Sequence, residues 1–600
     1  VFLPYMAHIP RPFDVELIEF LVPPEVAVDK AEEVLRNLSR LSFVKEYKEA
    51  DRAYYWFQDE LRTLFHQYIF SDTFTWDQLR QDASRKMLDF YDVQIEKARQ
   101  QGDIRAEQIF IAERFYHEAY LNPTQVFGDV FDRQFRRAHQ FGVAGDLLAA
   151  MRSFINLLSE ELQYSFRLSE IRWLRDIGEA ELAQKHGLKL LEKNVNQPEH
   201  AVYIYNALGG IAERLGELSD ALEYYKKSLA LSQQLGLNQR FSLEETNIGR
   251  VYRTRGEWEQ ARDHFQQAYN LALGSDRVQT ARSQSELGYT FGLLREHEVG
   301  ITYCSLAIET WEELKLPQQL ARAKVLRGII YRFAGNYDQA LKDVQEAIQT
   351  YNQSNYDVGL AQAYFHLGLI QLFQSNEKSL TKKAHQDLLD KSNYDEALLQ
   401  EAQNSLQISI DISNQRNLIG ELLQALSEMS RIYWIQGEKE IARKVNEEAR
   451  AHAIFVKDVY YTIHTLINFA AFDYAEGNYE SVPQYAETIK HEYEDKGYKF
   501  FLFYGRIRRI MGNIAFKQQE YDQAIDYYSE GLYLIAQHGS NWRMEQEFNN
   551  LKEHLQILPP EVALRLYRDV KQYWIKRGLN NSNMLKLASW IDREISHLIF

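Results

Sequence analysis

Apolar residues return at helical spacing along most of the chain, and a slower period is laid over that one. Leu208-Gly209 is followed by Ala212 and Gly216, then by Ala221, Tyr225 and Ser228. Ile248-Gly249 leads to Tyr252 and Gly256, then to Ala261, Phe265 and Ala268. Leu287-Gly288 leads to Phe291, Gly300, Cys304 and Ala307, and Gly328 to Tyr331, Gly335, Ala340, Val344 and Ala347. Later copies are anchored at Gly368, Ser430, Ala470 and Gly512. Successive anchors lie 39 to 42 residues apart, except for one step of 62 between Gly368 and Ser430. Eight small-residue anchors in near-constant phase are an internal repeat.

The chemistry of the repeat is steric. Small residues at the anchors and at Ala221, Ala261 and Ala340 let two antiparallel helices approach, while Tyr252 and Phe265 fill the gaps between them. Glycines 216, 256, 335, 437 and 477 are placed to end the first helix of each pair in a left-handed cap. This spacing resembles the tetratricopeptide family over more than half of the chain. The resemblance implies a right-handed superhelix of helix pairs with a concave groove. The family's usual period is 34, so the extra residues here imply longer helices, as in sensor-type repeats of bacterial signalling proteins. The long step carries a surplus from Ser375 to Asn393 that is polar and Lys-rich, and it reads as a solvated loop inside one hairpin. A partner-contacting lobe is the other reading.

The first hundred residues follow another pattern. Asp14 to Val22 is a short amphipathic helix stopped by Pro23-Pro24, and Val34, Leu35, Leu38 and Leu41 mark a second helix. Ser42 to Tyr47 and Arg52 to Phe57 alternate like strands around a polar turn, and Asp59 opens another helix. Helix, helix, strand, turn, strand is a winged-helix order. The run Ala31-Glu-Glu-Val-Leu-Arg-Asn-Leu-Ser-Arg-Leu-Ser-Phe-Val44 and the run Trp56-Phe57-Gln58-Asp59-Glu60-Leu61-Arg62 resemble the winged-helix domain of STAND-class, NLR-like signalling NTPases. In that family a Met-His-Asp motif contacts the bound nucleotide. Gln58 stands here in place of its His, and Asp59 matches its Asp, so nucleotide-state sensing is assigned by resemblance to Gln58 and Asp59. The segment Arg105 to Asn122, with its run Ala-Glu-Arg-Phe-Tyr-His-Glu-Ala-Tyr-Leu-Asn, resembles the helical linker of the bacterial members. The chain holds no G-x-x-x-x-G-K-[ST] phosphate loop. The resemblance therefore implies an ATPase module, with its ATP or ADP, on the N-terminal side of Val1, and no cofactor in this chain.

Composition narrows the function classes. The 600 residues are 45% hydrophobic and 26% charged, with only 11 Pro and 29 Gly, which fits a helical globular chain and not a disordered one. A net charge of -16 argues against a surface made to wrap nucleic acid or anionic membrane. On the helix 31–41 a DNA reader would have only Arg36 and Arg40, beside Glu32 and Glu33, to neutralise phosphates. Cys304 is the lone cysteine, so no internal disulfide can form, and a reducing cytoplasm is the expected location. No apolar run approaches the roughly 20 residues of a membrane span. The 16 His lack metal-ligand spacing, no Gly-x-Ser-x-Gly elbow occurs, and Cys304 falls at a packing position. The chain is not expected to be an enzyme.

The tetratricopeptide resemblance places certain first-helix positions on the concave side. There it puts Arg250, Arg253, Arg282, Arg322, Arg332, Arg431, Arg506 and Arg509, with Tyr289, Phe365, Trp434 and Tyr474 among them. Tyr203, Asn206 and Phe516 fall on the same face. Arginine forks suit carboxylates and phosphates, and aromatic rings stack on them. Two readings stay open at this point: the arginines take an acidic protein or peptide partner, or they pair with Glu on adjacent repeats.

The expected fold is mainly α. It has a winged-helix-like domain over 1–75, a helical linker over 76–160 and a superhelix of about eight or nine tetratricopeptide repeats over 161–540. Capping helices follow over 541–600. The expected function is the ligand-sensing, autoregulatory part of a STAND-type ATPase, in bacterial defence or transcriptional signalling, with oligomerisation on activation. The alternatives are a stand-alone scaffold for complex assembly and a winged-helix transcription regulator.

Overall fold

The computed structural model describes residues 74–122, 159–376, 394–495, 501–538, 541–578 and 582–599, save isolated positions, with a hairpin and shorter pieces before 74 and between 131 and 155. The chain divides into two compact units, 1–179 and 180–600.

In the first unit, helix α1 (Val15–Leu21) is capped by Asp14, whose Oδ1 accepts from the Leu17 amide at 2.9 Å. Strands β1 (Val44–Glu49) and β2 (Arg52–Phe57) pair antiparallel from Val44↔Phe57 to Glu49↔Arg52, and Phe13 bridges to Tyr55. The first strand runs two residues beyond the span read from sequence, because the pairing leaves only two residues for the turn. Most of the helix 31–41, and the helix opened by Asp59, lie outside the described residues, as do Gln58 and Asp59 themselves. Two long helices follow, α2 (Phe74–Gln101) and α3 (Ile104–Leu121), with Asp103 capping α3 through the Ala106 amide at 2.9 Å. Helices α4 (Ala144–Met151) and α5 (Glu160–Asp176) complete the unit around Phe115, Phe131, Leu147 and Phe166. The division at 179–180 falls after α5, where the sequence reading put it at 160–161.

The second unit opens with α6 (Ala180–Lys193) and continues as antiparallel pairs. These are α7 (Pro198–Arg214) with α8 (Leu218–Gln234), α9 (Asn238–Thr254) with α10 (Trp258–Ala272), α11 (Arg277–Leu293) with α12 (His297–Glu313), and α13 (Pro317–Phe333) with α14 (Tyr337–Gln353). After them come α15 (Asp357–Ser375) with α16 (Glu396–Arg416), α17 (Ile419–Gln436) with α18 (Lys439–Phe455), α19 (Val459–Glu476) with α20 (Val482–Asp495), and α21 (Phe501–Lys517) with α22 (Tyr521–His538). Helices α23 (Asn541–Gln556), α24 (Pro560–Arg577) and α25 (Ser582–Ile599) pack on the last pair around buried Trp574, whose indole N–H donates to the Ser529 carbonyl at 2.9 Å.

The anchors explain the pairing. A Cβ added at Gly209 would meet the Tyr225 ring at 2.7 Å, and one at Gly249 would meet Phe265 at 2.8 Å. Gly328 meets Val344 at 2.9 Å and Gly512 meets Tyr528 at 2.9 Å in the same way, while Gly288 lies against Cys304. Each partner stands sixteen residues beyond its anchor. Gly368 meets Leu406 instead, at 2.8 Å, so the surplus of the long step is spliced between an anchor and its own partner, inside one hairpin. Glycines 216, 256, 335, 437 and 477 have φ between 74° and 91°, the left-handed cap that their positions imply. In the third and eighth pairs the same conformation is taken by Arg295 and Gln519, where no glycine signals it.

Candidate partner-binding groove

From α9 to α21 each first helix also touches the next first helix, so seven helices share one inner wall. The arginines on that wall fall into two sets. Arg250 reaches back one repeat to Glu213, with Nε–Oε2 at 3.0 Å and Nη2–Oε1 at 2.8 Å. Arg253 donates to Glu286, which also accepts from Arg322 at 3.0 Å. Arg431 pairs with Glu428 at 2.6 Å. These are staples between or within repeats, and they realise the pairing alternative for four of the eight arginines. Burial works against the charge of Arg250, but Glu213 overrides it and holds the guanidinium above its ordinary pKa.

Arg282, Arg332, Arg506 and Arg509 form no ion pair with a described residue. Arg282 has only Gln279 Oε1, at 3.4 Å. Its pKa is lowered by burial and then by the charge of Arg322. Burial likewise lowers Arg332, and burial with Arg431 and Arg509 nearby pushes Arg506 down to about 10. The guanidinium groups of Arg282, Arg332 and Arg506 are partly withdrawn from water without the carboxylate that would offset the loss.

The aromatic residues also divide. Tyr289 is half-buried, with the Arg253 guanidinium 5.1 Å from its ring centroid, and Tyr474 has Lys517 Nζ at 4.3 Å. Phe365 and Trp434 do not line the groove as expected. Phe365 is buried among Leu369, Leu406 and Met429, and Trp434 stacks on Phe472 with centroids 4.1 Å apart and planes within 2°. Trp434 occupies the register that Arg253 and Arg332 hold in their repeats, four residues past the anchor. A large ring there gains more by covering the core, while a guanidinium keeps its head on the wall. Phe516, in the same register, is buried too.

Several wall residues escaped the sequence reading. Glu286 and Glu428 each stand two residues before an anchor, a shared register that marks them as acids facing the arginines. Tyr460, Tyr461 and His366 are the others. Burial and the Arg332 charge push the His366 imidazole down to about 3. His464 is buried and bonded to Ser427 Oγ at 2.7 Å, and burial holds it down to about 4. Among the described residues no group of three or more His, Cys, Asp or Glu side chains could hold a metal. No described helix is long and apolar enough to cross a membrane.

Residues 204–239 and residues 241–312 each match a sequence profile described as Tetratricopeptide repeat. These segments are tetratricopeptide repeats. No curated protein matches the chain. Among solved structures it is similar to a Rap protein complexed with competence and sporulation factor, at 13% identity and a TM-score of 0.41 over 64% of this chain and 99% of that one. NprR in complex with its cognate peptide NprX gives 14% identity and a TM-score of 0.41 over 68% and 99%. Aspartyl phosphate phosphatase F from Bacillus subtilis gives 14% and 0.37 over 63% and 94%.

The tetratricopeptide array also meets itself. One continuous apolar cluster holds Leu218, Tyr225 and Ile248 from α8 and α9 together with Val459, Ile463 and Ile507 from α19 and α21. At this seam a cavity of about 420 Å³ is lined by Leu215, Leu218, Ile454, Val459 and Thr462, and Lys457 pairs with Glu181 at 2.5 Å. Tyr460, beside the seam, lies within electrostatic range of Tyr289, eight helices earlier in the chain. The groove is thus a curved interior with the arginines of several repeats facing into it.

Proposed function

We propose that the tetratricopeptide array is a binding module that captures a protein or peptide segment along its inner wall, and that this chain catalyses no reaction. The observation that carries the reading is the set of arginines held on that wall without acidic partners, next to a matching set that has them. A wall built only for stability would have paired them all or replaced them by apolar side chains, since an uncompensated buried charge is a cost. Binding driven by such groups weakens with salt.

The test is site-specific photo-crosslinking in the native host. A photoreactive residue at Tyr289, on the wall, is expected to trap a protein partner. The same residue at the exposed Gln345, on the second helix α14, is expected to trap none of it. Crosslinks from Gln345 alone would sink the groove reading.

The array's setting, in this proposal, is the sensing half of a STAND-type ATPase. The resemblance at 31–44 and 56–62 supports it. Capture would have to favour one of two states of the larger protein for such a switch to work. The reading predicts a phosphate-binding loop encoded upstream of Val1, and a full reading frame without one leaves the scaffold function in its place.

A further inference from the structure

The seam stops short of full closure. Leu218 and Val459 are buried in its apolar cluster, yet the same two side chains, with Leu215 and Ile454, line a cavity of about 420 Å³. That volume lies within the roughly 300 to 1,000 Å³ of small-molecule sites. Ile454 is 54% exposed, so aliphatic surface stands in water at the cavity. The walls come from distant parts of the array. One is the turn between α7 and α8 in the first pair, and the other is the turn from α18 to α19, which joins the sixth pair to the seventh. The polar lining is rich in acceptors. Thr462 already donates its hydroxyl proton to the Asp458 carbonyl at 2.7 Å, which leaves its oxygen free to accept. Glu217 accepts from Gln184 Nε2 at 2.9 Å, and Lys457, the cation of the lining, is engaged by Glu181 at 2.5 Å. Asp220 lines the same cavity, and its carboxylate forms no hydrogen bond or ion pair with a described residue. An apolar floor thus stands beside a carboxylate that no cation meets.

We propose that this cavity is a binding site for a small amphiphilic amine, an ammonium group on a short apolar body. The body covers Leu215, Leu218, Ile454 and Val459 and makes the contacts that an unfilled seam forgoes. The ammonium meets Asp220, with Glu217 and the Thr462 oxygen as further acceptors. It carries three donors and no acceptor, which suits a lining of this kind. A carboxylate on the same body would face Asp220 and Glu217 with only Lys457, already engaged, in its favour. One occupant touches both walls, so it binds the closed turn alone and stabilises that state by mass action. The site shares no residue with the arginines of the inner wall and does not rest on the reading of the groove.

The test uses the full chain at about 0.01 M ionic strength, where charges are little screened. The probes are hexylammonium, hexanol and hexanoate, which share one apolar body and differ in the head. Saturation-transfer NMR and thermal melting are expected to show hexylammonium bound several-fold more tightly than hexanol, with a raised Tm, and hexanoate not bound. Hydrogen exchange is expected to slow at residues 215–220 and 454–462 when hexylammonium is present. Asp220→Asn is expected to bring hexylammonium down to the level of hexanol and to leave hexanol unchanged, the several-fold loss of one exposed charge pair. Ser219→Leu adds an apolar side chain to the lining, and is expected to raise the Tm of the free chain and to remove binding of every probe. Should that variant fail to fold, Asp220→Asn and the exchange pattern still decide. Equal binding of the three probes, an ammonium preference that survives in Asp220→Asn, or exchange that slows elsewhere and not at the two turns overturns the site. Crosslinking from Tyr289 would be untouched by that failure.

Discussion

Glu286 gives the sharpest test of how the inner wall is held together. Its side chain is 6% exposed, and it accepts from Arg253 of the preceding repeat and, at 3.0 Å, from Arg322 of the following one. Burial alone would raise its pKa, but Arg253 and Arg322 override burial and bring it from an ordinary 4.5 to about 2. At about 1.36 kcal/mol per unit, that depression corresponds to roughly 3 kcal/mol of stability. The sign follows from which state holds the proton. The folded carboxylate protonates only near pH 2 and the unfolded one near 4.5, so the contribution is complete above pH 4.5 and is lost as pH falls towards 2.

The perturbation is Glu286→Gln. It leaves Arg253, 15% exposed, beside a neutral amide, and breaking a buried pair in this way costs about 3 to 5 kcal/mol. The assay is urea unfolding of native and variant chains at a series of pH values, read by circular dichroism. Near neutral pH the gap in stability is expected to be about 3 kcal/mol or more. Below pH 4.5 it is expected to shrink by about 1.4 kcal/mol per unit, because only the native chain loses the interaction. Adding Arg253→Met to the variant is expected to recover part of the loss by removing the stranded charge. A gap below about 1 kcal/mol near neutrality, or one that does not change with pH, would refute the reasoning.

Further outcomes are expected. Gly288→Ala is expected to destabilise by about 1 to 3 kcal/mol in spite of alanine's better helix propensity, because the added Cβ meets the Gly300 carbonyl oxygen at 2.8 Å and the Cys304 nitrogen at 3.0 Å, which no rotamer relieves. Gly420→Ala, with nothing within 4 Å, is expected to stabilise by about 0.5 to 1 kcal/mol, and a urea midpoint that moves the wrong way in either variant contradicts the packing account. Cys304 is buried with its thiol pushed up to about 12, so the native chain should stay unreactive to a thiol reagent at pH 8 and label only when unfolded; rapid labelling would contradict its burial. At the seam, Leu218→Ala is expected to cost about 2 to 5 kcal/mol, while Lys457→Ala leaves the urea midpoint unchanged because both members of its ion pair are exposed.

The repeat was legible in the sequence because its signal is steric and local. An anchor glycine and the ring sixteen residues on must touch, so the spacing survives wherever the helices pair, and even the surplus of the long step could be assigned to one hairpin. Caps were legible only where glycine makes them. Arg295 and Gln519 adopt the same left-handed conformation without announcing it, since the tertiary contacts on either side of the turn decide their φ. The groove was half legible. Position relative to the anchor found the arginines, but whether each is paired depends on the acid it meets, which for Arg250 is Glu213 one repeat away and for Arg431 is Glu428 on its own helix. Trp434 shows the limit from the other side, since register placed it on the wall and its area drew it into the core. What brings Leu218 and Val459 into one apolar cluster is the curvature summed over several repeats, which no window of sequence contains.

The seam has a consequence for how this unit folds. In an open solenoid each repeat feels only its neighbours, and stability grows as a chain of nearest-neighbour terms. Here Leu218 and Val459, some 240 residues apart, share one apolar cluster, so the first repeat and the seventh are neighbours as well. The chain of terms is closed into a loop. Unfolding of the first pair uncovers the seventh, the ends stop fraying independently, and melting approaches a single cooperative event. That contact also raises the mean sequence separation of native pairs, so the last step of folding, docking one end of the turn on the other, is expected to be the slow one.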